Sequence, residues 1–240
     1  MGKAVRRTGR LYVIATPIGN LEDITLRALR VLREEVSFVY CEDTRQTRKL
    51  LNHYGIGLST LSLHAHSSDE RIAGAISRLH EGTSIAYVTD SGTPALSDPG
   101  SRLVAMAGEH GIETIPIPGP SALAAIVSVA GFPEKAVIFA GFLSKKDGRR
   151  KRELESLRGQ RGIIVLYESP HRIGRLLAAA ADVFPEEKAV IGREMTKIHE
   201  EFLRGTVKEL AERSDTITAK GEFTVAIWNR NGGNGDDPGD

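Results

Sequence analysis

Short apolar runs alternate with amphipathic segments through the first half of the chain. In residues 24–32, for example, Leu26, Leu29 and Leu32 recur at the three-residue spacing of one helix face. The apolar runs predict strands at residues 10–16, 36–41, 59–63, 84–89 and 113–117. The amphipathic segments predict helices at residues 24–32, 70–80 and 101–110, and another that ends at Leu51. This alternation of strands and helices predicts an α/β fold with a parallel sheet.

The second half repeats the alternation and predicts a second α/β unit. Its strands are expected at residues 137–141, 162–167, 188–192 and 223–228. Its helices are expected at residues 121–129, within residues 144–161, in a segment that ends at Val183, and at residues 207–213. Residues 202–206 lead into the last of these helices. The boundary between the units falls near residues 118–136. We therefore predict a basic arm at 1–9, domains at 10–119 and 120–230, and a disordered tail without apolar residues at 231–240.

Composition narrows the class of protein. Hydrophobic residues are 40% of the 240 positions, which is enough for a core. The balance of 32 basic against 31 acidic residues excludes a uniformly basic nucleic-acid coat, though not a local basic patch. The single cysteine, Cys41, excludes a disulfide framework. The most apolar stretch, 122–130, is too short to span a bilayer, and no signal-peptide pattern opens the chain. We expect a cytoplasmic protein.

Loops rich in small and polar residues follow four of the predicted strands. They are TPIGN (16–20), CEDTR (41–45), DSGTPALSDPG (90–100) and PGPSA (118–122). Ligands of open α/β sheets bind beyond the carboxyl ends of the strands, so these loops predict a binding edge. The loop at 90–100 carries more polar residues than a turn requires, although an ordinary turn is the alternative. Neither the dinucleotide fingerprint nor the P-loop motif occurs in the chain.

Two further motifs have weaker chemical interpretations. Ser121 lies in a sequence similar to a nucleophile elbow, but the final glycine is missing, so we discount a hydrolase nucleophile. His64, His66 and Asp69 form an H-x-H-x-x-D cluster that could bind a metal. No further ligand set accompanies them, and a polar loop after a strand is the favoured interpretation. We therefore predict no metal site.

Residues 145–161 form a concentrated basic segment. Eight basic residues stand against three acidic ones in this segment, a net charge of +5 in a chain whose total is +1. The basic residues are Lys145, Lys146, Arg149, Arg150, Lys151, Arg152, Arg158 and Arg161. Such a segment can neutralise phosphates, and Lys3, Arg6, Arg7 and Arg10 add charge at the N-terminus. A solvated helix face is the alternative, and no aromatic residue interrupts the segment to stack on bases.

Seven segments, taken in chain order, resemble the class III, tetrapyrrole-methylase-type S-adenosylmethionine (SAM) methyltransferases. They are LYVIATPIGNLEDITLRALRVL, YCEDTRQTRKLL, VTDSGTPALSDPG, PGPSA, LYESPHRI, REMTKIHEEFLRGT and KGEFTVAI, and they span about residues 10–230. Within that family they are most similar to the enzymes that methylate small-subunit ribosomal RNA. The resemblance implies two αβα domains with SAM in the cleft between them, and a homodimer. It also implies 2′-O-methylation of a cytidine ribose in the decoding region of 16S rRNA.

The resemblance assigns cofactor contacts residue by residue. Gly92-Thr93-Pro94 matches the G-D-P loop of tetrapyrrole enzymes, with Thr93 in place of the acidic residue. Asp90 or Asp98 could supply the missing carboxylate. The implied cofactor-binding residues are Asp90, Ser91, Gly92, Thr93, Pro94, Leu96, Ser97, Asp98, Ser121, Ala122, Tyr167, Glu168, Ile191, Glu222, Phe223 and Thr224. The TPIGN loop, with Pro17, Gly19 and Asn20, is expected on the substrate side.

A ribose 2′-hydroxyl is a weak acid, so a base or a positioned cation would assist its methylation. Asp43 and Glu168 are the predicted base-like groups, with structural ion pairs as the alternative role. The predicted substrate-binding side chains beyond the TPIGN loop are Arg45, His171, Arg172, Arg193, Lys145, Lys146, Arg149 and Arg150. Two rival functions remain open: a tetrapyrrole C-methyltransferase of the same fold, and a non-catalytic assembly factor of the small ribosomal subunit.

Overall fold

The computed structural model describes residues 8–64, 67–95 and 100–231. The chain divides into two compact units, Met1–Ser121 and Ala122–Asp240. The predicted arm before residue 8, the tail after Asn231, and the site candidates His66, Leu96, Ser97 and Asp98 lie outside the described residues. No helix of the described ranges is long and apolar enough to cross a membrane.

The N-terminal unit contains a five-stranded parallel sheet in the order β3-β2-β4-β1-β5. Its strands are β1 (Leu11–Ile14), β2 (Phe38–Cys41), β3 (Ser59–Ser62), β4 (Ile85–Val88) and β5 (Thr114–Ile117). Its helices are α1 (Leu26–Glu34), α2 (Thr44–His53), α3 (Asp69–His80) and α4 (Gly100–Glu109), with a short 3-10 helix at Leu21–Asp23. The parallel α/β unit expected from the sequence is therefore present.

Strand alternation explains why helices cover both faces of this sheet. Tyr12 and Ile14 pack with α1 and α2 on one face. Leu11, the alternate residue of β1, packs with α3 and α4 on the other face. Successive side chains of a strand point to opposite faces, so an uninterrupted apolar strand needs apolar cover on both sides.

The C-terminal unit contains a mixed five-stranded sheet in the order β6-β7-β10-β8-β9. Its strands are β6 (Val137–Phe142), β7 (Gly162–Glu168), β8 (Lys188–Arg193), β9 (Glu201–Thr206) and β10 (Phe223–Asn229). Its helices are α5 (Ala122–Ala130), α6 (Asp147–Arg158), α7 (Ile173–Val183) and α8 (Val207–Glu212), with a 3-10 turn at Ser214–Thr216. Only β6 and β7 are parallel in this sheet; the other pairs are antiparallel.

The main core of the C-terminal unit lies on one face of its sheet. Apolar residues of α6, α7 and α8 pack there against alternate residues of the strands, such as Val225 and Ile227 of β10. Helix α5 contacts β8 and β10, and its Ile126 is fully buried. Residues 202–206, which were expected only to lead into α8, belong to strand β9. A hairpin connection without a helix joins β8 to β9, and this makes the pair antiparallel.

Candidate functional site

The strand-end loops of the N-terminal unit are joined to one another by hydrogen bonds. Thr16 and Gly92 exchange two backbone bonds, with N···O distances of 2.9 and 3.0 Å. The buried Thr16 hydroxyl donates to the Thr89 carbonyl at 3.1 Å, and Thr93 Oγ1 donates to the Pro120 carbonyl at 3.1 Å. The loops after β1, β4 and β5 therefore form one connected edge, as expected for adjacent parallel strands.

The loop after β2 joins this edge through two aspartates. The Asp43 backbone N–H donates to Asp90 Oδ1 at 2.9 Å. Asp43 caps α2 by accepting the Arg45 backbone N–H at 2.8 Å, and Arg45 Nη2 lies 2.7 Å from Asp43 Oδ2. These bonds from Arg45 lower the pKa of Asp43 to about 2. Partial desolvation raises the pKa of the Asp90 carboxyl. The hydrogen bond from the Asp43 N–H opposes this increase, and the Asp43 charge adds to it.

Two glycines of this edge lie where the backbone conformation or the packing leaves no room for a side chain. Gly92 has a φ of +84°, which L side chains rarely adopt, and a Cβ there would lie 3.4 Å from Ile18 Cγ2. A Cβ at Gly119 would lie 3.1 Å from Ala15 Cβ. Small residues and polar strand-end groups are therefore combined at this edge, where ligands of open α/β sheets bind. Of the substrate-side candidates in the TPIGN loop, Asn20 Oδ1 accepts the Glu22 N–H at 3.1 Å, Pro17 is half-buried and Gly19 is exposed.

A second edge forms in the C-terminal unit where β6, β7 and β8 end and where β9 and β10 begin. The pairing aligns Phe142 with Tyr167, Glu168 with Phe223, and Phe223 with Arg193. The sequence interpretation named four of these residues, all but Phe142, as site candidates.

Glu168 and Arg172 form a buried ion pair at this edge. Arg172 Nη2 lies 2.9 Å from Glu168 Oε2, and the two side chains are 12% and 0% exposed. Ser169 N–H donates to Glu168 Oε1 at 2.7 Å, and Arg172 Nη2 also donates to the Leu143 carbonyl at 2.8 Å. Both residues therefore hold the strand ends together. The neighbouring His171 is exposed.

The sequence interpretation missed an ionic cluster on the connection between β8 and β9. Lys197 Nζ lies 2.8 Å from Glu194 Oε1 and 2.9 Å from Glu222 Oε2. Glu194 and Thr196 have positive φ angles of 51° and 67°, a conformation that costs energy in residues other than glycine. The i,i+3 spacing of Glu194 and Lys197 was a signal, but their pairing with Glu222 depends on the sheet. Arg193 pairs separately with Glu201 at 2.9 Å.

The predicted cofactor residues of this unit differ in accessibility. Ile191, Phe223 and Thr224 are buried, and each is paired with a neighbouring strand on both sides. Glu222 is exposed, and its backbone carbonyl accepts the Glu194 N–H at 3.0 Å. Tyr167 Oη accepts the Leu123 N–H at 3.1 Å and so anchors the start of α5, just after Ser121 and Ala122.

The basic segment divides into an exposed part and a buried residue. Lys145, Lys146 and Arg149 are exposed at the start of α6. Arg150 is not part of this surface: its side chain is 3% exposed and pairs with Asp147. Its Nε and Nη1 have no hydrogen-bond partner among the residues that the structure describes. The sequence predicted a substrate contact for Arg150, but position 150 faces inward on the helix beside the buried Leu154.

Comparison with known proteins defines the class. The sequence matches the family of Tetrapyrrole (Corrin/Porphyrin) Methylases over residues 10–211. The chain belongs to this family of methyltransferases. Solved structures of similar fold include a cobalamin biosynthetic enzyme, cobalt precorrin-4 methyltransferase, at 21% identity with a TM-score of 0.68, covering 92% of this chain and 95% of that one. Another is the uroporphyrin-III C-methyltransferase of Thermus thermophilus complexed with S-adenosylhomocysteine, at 18% identity with a TM-score of 0.61, covering 91% and 97%.

The sequence relatives are more specific. The ribosomal RNA small subunit methyltransferase I of Leptospira biflexa is 45% identical over 226 residues, covering 94% of this chain and 93% of the relative. The protein of the same name from Thermotoga maritima is 44% identical over 219 residues, covering 91% and 98%. The resemblance recognised from the sequence motifs is thereby confirmed.

Proposed function

We propose that this protein transfers a methyl group from SAM to the 2′-oxygen of a cytidine ribose in the decoding region of 16S rRNA. The relatives that match nearly the whole chain support an rRNA substrate. The exposed cations at the start of α6 favour a polyanionic substrate, because they can contact its phosphates. A small macrocycle needs no such basic surface. The cytidine and its place in the decoding region come from the family resemblance.

The residues at the two strand-end edges fit a nucleoside cofactor. In the N-terminal unit, the proposed contacts are Ser91, Gly92, Thr93 and Pro94. Their loop is held in place by bonds to Thr89, Thr16 and Pro120, so it would present an ordered surface to the cofactor. In the C-terminal unit, the proposed contacts are Tyr167 and Glu222, and the buried residues Ile191, Phe223 and Thr224 support them within the sheet. When bound, the cofactor supplies an electrophilic methyl group. Its position between the domains stays a prediction.

Asp90 is the carboxylate best suited to accept the proton that the 2′-hydroxyl loses. A base must keep some affinity for a proton near neutral pH. Asp43, with a pKa of about 2, has little, and Glu168 is fully buried in its pair with Arg172. The pKa of Asp90 is raised, and Asp90 is exposed. We therefore assign proton acceptance to Asp90, and assign Asp43 to holding Asp90 through its backbone N–H.

Replacing Lys145, Lys146 and Arg149 together by Ala is expected to weaken 16S rRNA binding and to reduce its salt dependence. Each lost phosphate contact lowers the slope of log K against log salt by about 0.7–0.9. Filter binding at several salt concentrations measures both quantities. Arg150→Met is the matched control: because Arg150 is buried, this variant should keep the wild-type affinity and slope. An unchanged slope in the triple variant would remove these cations from the RNA site.

Two other functions predict different results. A tetrapyrrole C-methyltransferase would turn over uroporphyrinogen with SAM and would leave rRNA unlabelled. A non-catalytic assembly factor would bind the small subunit but not SAM, which calorimetry would show. Transfer of labelled methyl to small-subunit RNA, together with SAM binding, supports the proposed function over both.

We further propose a cytoplasmic homodimer, on the strength of the family resemblance. Sedimentation equilibrium of the purified protein tests the oligomeric state. A monomer at micromolar concentration would contradict this part of the proposal.

A further inference from the structure

Phe142 is an aromatic side chain exposed at the edge of the C-terminal sheet. It is the last residue of β6, which is the outermost strand on that side, and it is 56% exposed. The ring meets Tyr167 edge to face, with the centroids 5.7 Å apart and an interplanar angle of 67°. Tyr167 also contacts Phe139 in the same way at 4.9 Å. One side of the Phe142 ring is thus supported, and much of the rest is open to solvent.

The backbone that follows Phe142 is fixed in place. Arg172 Nη2 donates to the carbonyls of Leu143 and Ser144 at 2.8 and 3.4 Å, and it is paired with the buried Glu168. The Ser144 N–H donates to Glu153 Oε2 at 2.8 Å. The connection from β6 to α6 is therefore tied to both α6 and α7. A ring held in this way loses little conformational entropy when it binds a partner.

Cations flank the exposed ring along the chain. Lys145 and Lys146 follow Phe142 by three and four residues, and Arg149 lies one helical turn further; all three are exposed. Arg149 is partly neutralised by Glu153 at 3.1 Å, whereas neither lysine has an ion pair within the described residues. An exposed aromatic ring with unpaired cations within a few residues of it suits unpaired nucleic acid, because the ring can stack on a base while the cations contact phosphates.

We propose that Phe142 is a stacking platform for an unpaired nucleobase of the RNA substrate, with Lys145 and Lys146 on the adjoining phosphates. This inference rests on the proposed function, since it names how the same substrate is held. Residues 145–161 contain no aromatic residue that could stack on a base. Phe142 would fill this role, since it lies on strand β6 just before that segment.

The test compares Phe142→Leu with Phe142→Tyr. Leucine keeps an apolar contact with Tyr167 but removes the stacking face, whereas tyrosine keeps that face. We expect Phe142→Leu to weaken 16S rRNA binding about 10-fold, the effect of one lost base stack, with an unchanged salt slope. Phe142→Tyr should bind like the wild type. Val137→Ala, which alters the other exposed end of the same strand, is the matched control and should have no effect.

A fluorescent probe reports the stacking directly. A single-stranded octanucleotide with a central 2-aminopurine should be quenched by the wild type and by Phe142→Tyr, but not by Phe142→Leu. Equal quenching and equal rRNA affinity in all three proteins would overturn the proposal. Weaker SAM binding in Phe142→Leu would place the ring at the cofactor instead, and a changed sedimentation coefficient would place it at a subunit contact. If the wild type stacks the probe but transfers no methyl to rRNA, only the proposed function fails.

Discussion

Replacing Arg172 by Met should lower the free energy of unfolding of the C-terminal unit by about 3–5 kcal/mol, the usual cost of leaving one member of a buried ion pair alone. The partner, Glu168, has no exposed side-chain surface and would keep only the Ser169 N–H as a hydrogen-bond donor. The Leu143 carbonyl would also lose its donor. Chemical denaturation followed by circular dichroism measures the change.

Arg175→Met on the same helix is the matched control for this variant. Arg175 is exposed on α7, so its replacement should change stability by less than about 0.5 kcal/mol. The double variant Glu168→Met with Arg172→Met should recover part of the loss, because it buries no unpaired charge. Equal stabilities for Arg172→Met and Arg175→Met would show that the pair does not hold the edge together.

Asp90→Asn should lower kcat for methyl transfer by about 10²- to 10⁴-fold, the range expected when a general base is removed. The amide retains the shape of the side chain and an oxygen that can accept the Asp43 N–H. Binding of SAM and of rRNA should therefore change much less than kcat. Single-turnover kinetics with saturating SAM measures the chemical step, and calorimetry checks cofactor binding.

Asp43→Asn serves as the control for this experiment and also predicts a pH effect. A carboxylate base is active when deprotonated, so the rate falls as the pH drops through its pKa. Burial and the Asp43 charge raise the pKa of Asp90, so Asp43→Asn should retain activity and move the acid limb to lower pH. An acid limb near pH 2 in the wild type, or a larger loss in Asp43→Asn than in Asp90→Asn, would identify Asp43 as the base instead.

The sequence alone predicts the parallel N-terminal unit, because the pattern of apolar runs and polar loops that defines this unit is local. The apolar runs that form the central strands β1, β2 and β4 are largely buried, and each of these strands ends in a polar loop. Topology alone therefore brings Thr16, Gly92 and Thr93 together. The motif resemblance then identified the family. These expectations needed no knowledge of individual side-chain contacts.

Other features depend on contacts between residues that are far apart in the sequence or on the way a helix packs, and these could not be predicted from local patterns. Arg150 lies in a charged run, but the inward face of α6 buries it against the core. Lys197 meets Glu222 only because β10 lies beside β8. The exposure of Phe142 follows from the edge position of β6, which is set by the order of the whole sheet.

The central claim is most directly tested by methyl transfer from labelled SAM to small ribosomal subunits from a strain that lacks this gene. We predict that the label enters 16S rRNA at one nucleotide, and that the adjoining phosphodiester resists alkali because its 2′-oxygen is methylated. Phe142→Leu and Asp90→Asn should both reduce that incorporation. If neither subunits nor naked 16S rRNA is labelled while SAM binds, the protein is not an rRNA 2′-O-methyltransferase.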